Sequence, residues 1–127
     1  MTKKKNIVLL IEDETSVRKL IASRLNEEGF DFLEAPDGKV GLKLALEKNP
    51  DLILLDIVMP VMDGMTFLKK LRANPKGKNI KVIVLTNLSN EEDLEESKEQ
   101  GVDDFLIKAD WKINDVIERI KVGLKKK

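Results

Sequence analysis

Polar side chains follow four apolar runs of this sequence, each at the residue where the run ends. Glu12 and Asp13 follow the first run, Asp56 the second, Thr86 the third and Lys108 a shorter run nearer the C-terminus. Carboxylates, hydroxyls, lysines or a bound hard metal must supply any chemistry, because the chain contains no His and no Cys. A carboxylate can attack phosphorus when a cation and hydrogen-bond donors stabilise the transferred group. This set of groups therefore suits phosphoryl transfer onto a carboxylate.

Composition narrows the classes of protein that remain. A chain of 127 residues with 42% hydrophobic and 36% charged residues is expected to form one domain with its own core. The 23 basic and 23 acidic residues cancel, so no broad attraction to nucleic acid or to an anionic membrane is expected. The lack of Cys and His excludes disulfide frameworks, zinc sites built on thiolates or imidazoles, and hydrolases that use either residue.

The N-terminal region does not read as a membrane or export signal. No apolar run approaches the roughly 20 residues that span a bilayer. The basic start is followed by the short apolar run Ile7–Ile11, which is too short for a signal peptide. We therefore expect a cytoplasmic domain.

Short apolar runs alternate with helical patterns along the chain. The candidate strands are residues 7–11, 30–35, 52–55, 82–85 and 105–107. Continuous apolar runs are typical of parallel strands covered on both faces, and the less uniform second run suits an edge strand. Five amphipathic stretches separate and follow these runs, the fourth beginning near Ser89. This order predicts an open parallel sheet with five helices on its two faces.

The predicted sheet indicates where the acidic residues would lie. Open α/β sheets bind ligands beyond the carboxyl ends of their strands. If the first and third strands are neighbours, Glu12, Asp13 and Asp56 converge, and like charges about 4 Å apart repel by on the order of 4 kcal/mol at an effective dielectric of 20. A divalent cation would offset this repulsion, and all-oxygen ligands favour Mg²⁺, Mn²⁺ or Ca²⁺. The alternative is structural: Asp13 or Glu14 caps the first helix, and Asp56 caps a loop.

Four stretches carry a resemblance to a known family through their order and spacing. They are Val8–Asp13, Pro50–Pro60 with Met62-Asp63-Gly64 following, Val82–Thr86 and Gly101–Lys108. The sequence resembles the receiver domain of two-component response regulators over essentially the whole chain, in the manner of a single-domain chemotaxis regulator. This resemblance implies an α/β, flavodoxin-like, doubly wound parallel sheet of five strands in the order 2-1-3-4-5, with five helices. It also implies that residues 1–127 form a single receiver domain with an ordered core from about residue 5 to 124.

The resemblance implies a role for each residue of the acidic cluster. Asp56 would be the phosphoacceptor. The ligands of Mg²⁺, with Mn²⁺ as an alternative ion, would be Glu12, Asp13, Asp56 and the backbone carbonyl of Val58. The family more often has a pair of Asp residues where this chain has Glu12 and Asp13, and the longer Glu side chain should change only the contact made through water.

Three further residues would couple the phosphoryl group to a change of shape. By the same resemblance, Thr86 and Lys108 would contact the group, and Phe105 would be the aromatic residue that moves when Thr86 swings inward. The helix that follows Ser89, the last strand and the last helix would form the surface that changes. Because the chain has no His, the phosphohistidine donor must be a partner, either a sensor histidine kinase or a histidine phosphotransfer protein.

The expected activity is therefore that of a signalling switch, which assists its own phosphoryl transfer and loss, rather than an enzyme with a separate substrate. The downstream partner would be an unknown protein, with no direct contact to nucleic acid or a membrane. The chain would be a monomer or a weak dimer.

Several positions depart from the usual pattern of the family. Ala109 follows Lys108 where the family usually has Pro in a cis bond, and a cis bond before Ala costs about 2.5–4 kcal/mol. We therefore expect a trans bond there, or strain that is offset elsewhere. Asn87 replaces a small residue, which would narrow access to the phosphoryl group. Val58 and Leu88 are apolar at two positions that influence hydrolysis in this family, so slow loss of the phosphoryl group is expected.

Three other functions compete with this interpretation. A phosphohydrolase with an aspartyl nucleophile wants Asp-x-Asp after the first strand, and Asp13-Glu14-Thr15 lacks the second Asp. A mononucleotide-binding protein needs a phosphate loop there, whereas the acidic turn would repel phosphate. A pseudo-receiver, which binds partners without phosphorylation, stays open because of Ala109.

Overall fold

Nine elements alternate along the part of the chain that the structure describes. The computed structural model describes residues 6–56, 62–86, 95, 98–107 and 112–125, with only the backbone of Thr86 and Ile107. The strands are β1 (Ile7–Ile11), β2 (Asp31–Ala35), β3 (Leu52–Asp56), β4 (Lys81–Thr86) and β5 (Asp104–Ile107). The helices within these ranges are α1 (Thr15–Glu27), α2 (Gly38–Lys48), α3 (Gly64–Ala73) and α4 (Ile113–Lys125).

All five strands are parallel and lie in the order β2-β1-β3-β4-β5. This result confirms the predicted sheet order and the flavodoxin-like, doubly wound fold. The partly exposed β2 is an edge strand as predicted, whereas β3 is buried at every position. In the register of β1, Ile11 lies opposite both Ala35 and Leu55, so the carboxyl ends of β1 and β3 are side by side.

The two faces of the sheet bury two separate cores. Alternate residues of β1 and β3 point to opposite faces: Leu9 and Ile53 belong to one cluster, and Leu10 and Leu54 to the other. The first cluster is completed by α2 and α3, and the second by α1 and α4. Because helices cover both faces, the central strands are apolar at every position rather than at every second one.

The N-termini of α1, α2 and α3 lie at the edge of the sheet where the strands end, because each helix follows a strand directly. Asp37 caps α2 by accepting a hydrogen bond from the Val40 amide, and Asp63 caps α3 by accepting one from the Thr66 amide. The N-cap residue of α1 is Glu14, whose side chain makes no capping hydrogen bond. The structural alternative for the acidic residues that precede α1 therefore finds no support in the cap of this helix.

Two predictions about the helices have different outcomes. Four of the five predicted helices are present in the described ranges, and none of the described helices combines the length and apolar character that a membrane span requires. The predicted helix that follows Ser89 falls mostly on residues outside the described part of the chain. The described residues there, Glu95, Lys98 and Glu99, have helical backbone.

Candidate functional site

Three carboxylates from two strand ends meet at the carboxyl edge of the sheet. Glu12 and Asp13 follow β1 directly, and Asp56 is the last residue of β3. One carboxylate oxygen of each residue lies within 4.8 Å of the others. Because Ile11 pairs with Leu55, the register of β1 and β3 brings these residues together. The structure therefore unites the three acidic residues that the sequence singles out.

The three carboxylates differ in their exposure to solvent. Glu12 and Asp56 are 3% and 5% exposed, and within the described ranges they are the only buried charged residues. Asp13 is exposed. The cluster is thus a cleft with a buried floor and one acidic residue on its rim, which leaves a route from solvent.

The donor set of this cleft fits a hard divalent cation. Mg²⁺ binds oxygen at about 2.0–2.1 Å, so two of its ligands lie up to roughly 4.2 Å apart. The carboxylate oxygens lie within 4.8 Å of one another, which is close to the separation that ligands of one Mg²⁺ ion adopt. A divalent cation also offsets the repulsion among the three negative charges. Glu12, Asp13 and Asp56 are the described residues that would hold it.

Arg18 borders the same cleft, and the sequence interpretation missed it. Its Nη1 donates a hydrogen bond to the backbone carbonyl of Glu12 at 2.8 Å, and its Nε donates one to Glu34 at 3.2 Å. Arg18, Glu12 and Asp56 line one small cavity together with apolar residues of the core. The signal in the sequence was a cation close to the start of a helix, where it opposes the helix dipole.

The other predicted residues of the site are described to different extents. Thr86 is the last residue of β4 and pairs with Ile107, while Asp56 pairs with Leu85. The backbone of Thr86 is therefore one residue further along β4 than the position opposite Asp56. Phe105 is half-buried, packs against the core on the α2 and α3 face, and has the Lys98 ammonium 5.9 Å from its ring centroid.

Several predicted residues lie outside the described part of the chain. They are Val58, Asn87, Leu88 and Lys108, together with the Lys108–Ala109 bond that is expected to be trans. The Mg²⁺-binding carbonyl, the access and hydrolysis positions and the phosphoryl-contacting lysine therefore stay predictions.

Comparison with known proteins places this geometry in one family. The model of the response regulator receiver domain matches residues 8–121. The DNA-binding dual master transcriptional regulator RpaA of Synechocystis is 32% identical over 119 residues, which are 94% of this chain and 49% of RpaA. The chain spans about half the length of the curated relatives it matches.

Two solved receiver domains have the same fold. That of a Francisella response regulator is 34% identical, with a TM-score of 0.86 over 95% of this chain and 98% of that one. That of a sensor histidine kinase from Pseudomonas aeruginosa was solved with a magnesium ion coordinated in its active-site cleft. It is 25% identical, with a TM-score of 0.86 over 97% of this chain and 100% of that one. From the family match, the strand order and the acidic cleft, we conclude that this chain belongs to the response regulator receiver domain family.

Proposed function

We propose that this chain is a Mg²⁺-dependent phosphoacceptor switch, which takes a phosphoryl group from a partner's phosphohistidine onto Asp56. The observation that carries the proposal is the position of Asp56, buried at the end of β3 with a carboxylate oxygen within 4.8 Å of oxygens of Glu12 and Asp13. The magnesium ion in the similar receiver domain from Pseudomonas aeruginosa supports the choice of cation. When bound, Mg²⁺ or Mn²⁺ would neutralise charge on the phosphoryl oxygens.

The carboxylate of Asp56 acts as the nucleophile in this proposal. One of its oxygens attacks phosphorus, the bond from phosphorus to the donor imidazole nitrogen breaks, and the imidazole leaves with the electron pair. The last position of a central strand holds Asp56 in place, so little ordering is needed when the donor docks. Thr86 and Lys108 are the proposed donors to the transferred group, and the carbonyl of Val58 is a proposed further ligand of the ion.

The added charge provides the signal. An aspartyl phosphate carries roughly two negative charges where the carboxylate carried one, and it places them on oxygens that reach further from the strand. Thr86 is the last residue of β4, the strand next to β3, and it pairs with Ile107 of β5. Phe105 lies two residues before Ile107 on the same strand. We propose that movement of Thr86 toward the phosphoryl group lets the Phe105 ring shift inward. The surface of β5, α4 and the predicted helix that follows Ser89 would change in response.

The proposed partners follow from this chemistry. A sensor histidine kinase or a histidine phosphotransfer protein would supply the phosphoryl group, and a protein not yet identified would read the altered surface. The proposed location is the cytoplasm. Receiver domains are signalling switches, so we propose that any loss of the phosphoryl group resets this one rather than serving as turnover of a separate substrate.

Phosphorylation by a small donor tests the proposal. The protein is incubated with acetyl phosphate and Mg²⁺, and its intact mass is measured for wild type, Asp56→Asn and Asp51→Asn. Asp51 is a matched control at the opposite edge of the sheet, where it accepts a hydrogen bond from the Ile7 amide. A phosphoryl adduct on wild type and Asp51→Asn, absent from Asp56→Asn and after chelation of Mg²⁺, is the expected result.

Two results would contradict the proposal. Wild type without any adduct, or wild type and Asp56→Asn with equal adducts, would show that Asp56 is not the acceptor. The first result would favour the pseudo-receiver, in which the same surface binds partners without phosphorylation, and the second would indicate an acceptor other than Asp56.

A further inference from the structure

We propose that Arg18 is a positioning residue for the metal site, which acts by holding the backbone that carries Glu12 and Asp13. This inference rests on the proposed function, because it assumes that these carboxylates bind a divalent cation. It adds a residue on α1 and a residue on the edge strand β2 to a site otherwise built from strand ends.

The backbone of Glu12 is tied on both sides. Its amide donates a hydrogen bond to the carbonyl of Ala35, the last residue of β2, at 3.1 Å. Its carbonyl accepts a hydrogen bond from Nη1 of Arg18 at 2.8 Å. Glu12 is the first residue after β1, so the pairing that aligns β1 with its neighbouring strands stops just before it. The Arg18 hydrogen bond therefore fixes the peptide unit between Glu12 and Asp13, which determines where both side chains point.

The guanidinium of Arg18 is itself held in place. Its side chain is 13% exposed, and its Nε donates to Oε1 of Glu34 at 3.2 Å. The other oxygen of Glu34 accepts from Lys19 at 3.1 Å. A planar guanidinium can reach two acceptors in a fixed geometry, whereas an ammonium presents a single nitrogen on a flexible stem. Lysine at position 18 would keep the charge and lose the simultaneous contact with Glu12 and Glu34.

Two other roles for Arg18 predict different behaviour. If Arg18 only joined α1 to β2, Lys19 would do much the same, since it also pairs with Glu34. If the charge of Arg18 mattered most, it would repel an incoming cation, and its removal would strengthen binding. The contact with the Glu12 carbonyl belongs to Arg18 and predicts the opposite result, which is weaker binding after any change that breaks it.

Titration with Mg²⁺ separates these roles. Calorimetry compares wild type with Arg18→Lys, Arg18→Gln and the matched control Lys19→Gln. We expect both Arg18 variants to bind Mg²⁺ about tenfold more weakly, as is typical when a residue that orients a metal ligand is removed. Lys19→Gln should stay within about twofold of wild type, because it leaves the Glu12 carbonyl bonded. Wild-type affinity in Arg18→Lys, or tighter binding in Arg18→Gln, would overturn the proposal.

A measurement without metal checks the same contact. In ¹⁵N-resolved spectra of the metal-free protein, the amide resonance of Asp13 should shift in Arg18→Lys and stay in place in Lys19→Gln. The Mg²⁺ concentration that half-saturates modification by acetyl phosphate should rise about tenfold in Arg18→Lys, with the rate at saturating Mg²⁺ within about twofold of wild type. Loss of the saturating rate alone would indicate a different role and contradict positioning.

The outcomes also separate this inference from the proposed function. The proposed function requires that wild type binds Mg²⁺ and that Asp13→Asn removes this binding. If either result is not observed, the proposed function fails. If wild type binds and the Arg18 variants bind equally well, only the inference about Arg18 fails. Should Arg18→Lys fail to fold, Glu34→Ala removes the other acceptor of the guanidinium and should weaken Mg²⁺ binding by about threefold. Unchanged binding in Glu34→Ala would then overturn the proposal.

Discussion

The two edges of the sheet use charged side chains in opposite ways. At the edge where the strands begin, Asp51 accepts a hydrogen bond from the Ile7 amide at 2.8 Å, and Asp103 accepts one from the Val82 amide at 2.9 Å. These carboxylates complete the hydrogen bonding of strand ends. At the edge where the strands finish, three carboxylates have oxygens within 4.8 Å of one another. The first arrangement stabilises the fold. The second brings like charges together, which opposes folding, so a role in binding rather than in stability explains it better.

Arg72 stabilises the edge of the sheet where the strands begin. Its guanidinium donates hydrogen bonds at 2.7–3.2 Å to the backbone carbonyls of Gly77, Lys78, Ile80, Gln100 and Gly101. These bonds tie the end of α3 to the segments that precede β4 and β5. Burial lowers the pKa of Arg72, and the nearby Asp103 raises it in part. A structural cation therefore lies at the edge opposite the three carboxylates of the proposed metal site, and ligand sites of open α/β sheets are expected at the carboxyl edge.

Replacement of Arg72 by Ala should produce the largest change in stability. Three of its five hydrogen bonds, to the carbonyls of Gly77, Ile80 and Gln100, are partly buried, so we expect the free energy of unfolding to fall by about 3 kcal/mol. Urea denaturation measures the loss, and the exposed Lys70 of the same helix provides the control Lys70→Gln, which should stay within about 0.5 kcal/mol of wild type.

The same variant tests the division between the two edges. Under conditions where Arg72→Ala is folded, its Mg²⁺ affinity and its modification by acetyl phosphate should match wild type. A tenfold loss of Mg²⁺ affinity in a folded Arg72→Ala variant would show that the edges are coupled, and would contradict the separation of stability from function.

Replacement of Asp13 by Asn should act in the opposite sense and with a smaller effect. Without metal, removal of one like charge from the cluster should raise the free energy of unfolding by about 1 kcal/mol, the size of a charge interaction near 4 Å in a well-solvated setting. With Mg²⁺ at about one hundred times its wild-type dissociation constant, wild type should gain about 2.7 kcal/mol, and the variant, which lacks one ligand, should gain much less. Thermal unfolding with and without Mg²⁺ measures both effects.

The order of stability should therefore reverse when Mg²⁺ is added. Asp31→Asn, at the exposed start of β2, is the control and should respond to Mg²⁺ as wild type does. An Asp13→Asn variant that is less stable than wild type without metal would mean that Asp13 supports the fold, and the contrast between the edges would fail.

The smallest effect is expected on the flank of the molecule, where Lys121 of α4 donates to Glu28 at the end of α1 at 2.6 Å. The hydrogen bond from Lys121 holds the pKa of Glu28 below its usual 4.5, and the same bond raises the pKa of Lys121 above its usual 10.5. Because the folded pKa of Glu28 is depressed, its contribution to stability is lost as the pH falls through that value. Because the folded pKa of Lys121 is raised, its contribution is lost as the pH rises through that value.

The pair should therefore contribute most between about pH 5 and 10. Glu28→Gln should lower stability slightly at pH 7 and lose less stability than wild type when the pH is taken below the usual pKa of Glu. Urea denaturation at several pH values measures this, with Glu47→Gln on an exposed position of α2 as control. Equal acid dependence in Glu28→Gln and wild type would show that the pair adds no pH-dependent stability.

Much of the fold and the three acidic residues of the site could be predicted from the sequence. Continuous apolar runs predict covered parallel strands, and the polar residue that ends each run marks the edge where parallel strands finish. Asp56 and the Glu12–Asp13 pair could therefore be placed together before any coordinates were known. The edge position of β2 also followed from its mixed composition.

Arg18 and Arg72 could not be predicted in the same way. Both arginines donate to backbone carbonyls, which every residue carries, so no pattern of side chains in the sequence predicts these hydrogen bonds. Arg72 reaches carbonyls up to 29 positions away, such as that of Gly101, and only the packing of α3 against the loops before β4 and β5 brings them together. The contact of Glu34 with Arg18 likewise depends on the pairing of β2 with β1, which brings the two side chains together.

The sequence by itself determined the class of fold, the strand ends and the acidic residues of the site, because hydrophobic periodicity and abrupt polar residues are local properties of the chain. Tertiary structure alone decided the convergence of the carboxylate oxygens to within 4.8 Å, the burial of Glu12 and Asp56, and the anchoring of the Glu12 backbone by Arg18. Those features depend on strand register and helix docking, which are set by interactions between residues far apart in sequence.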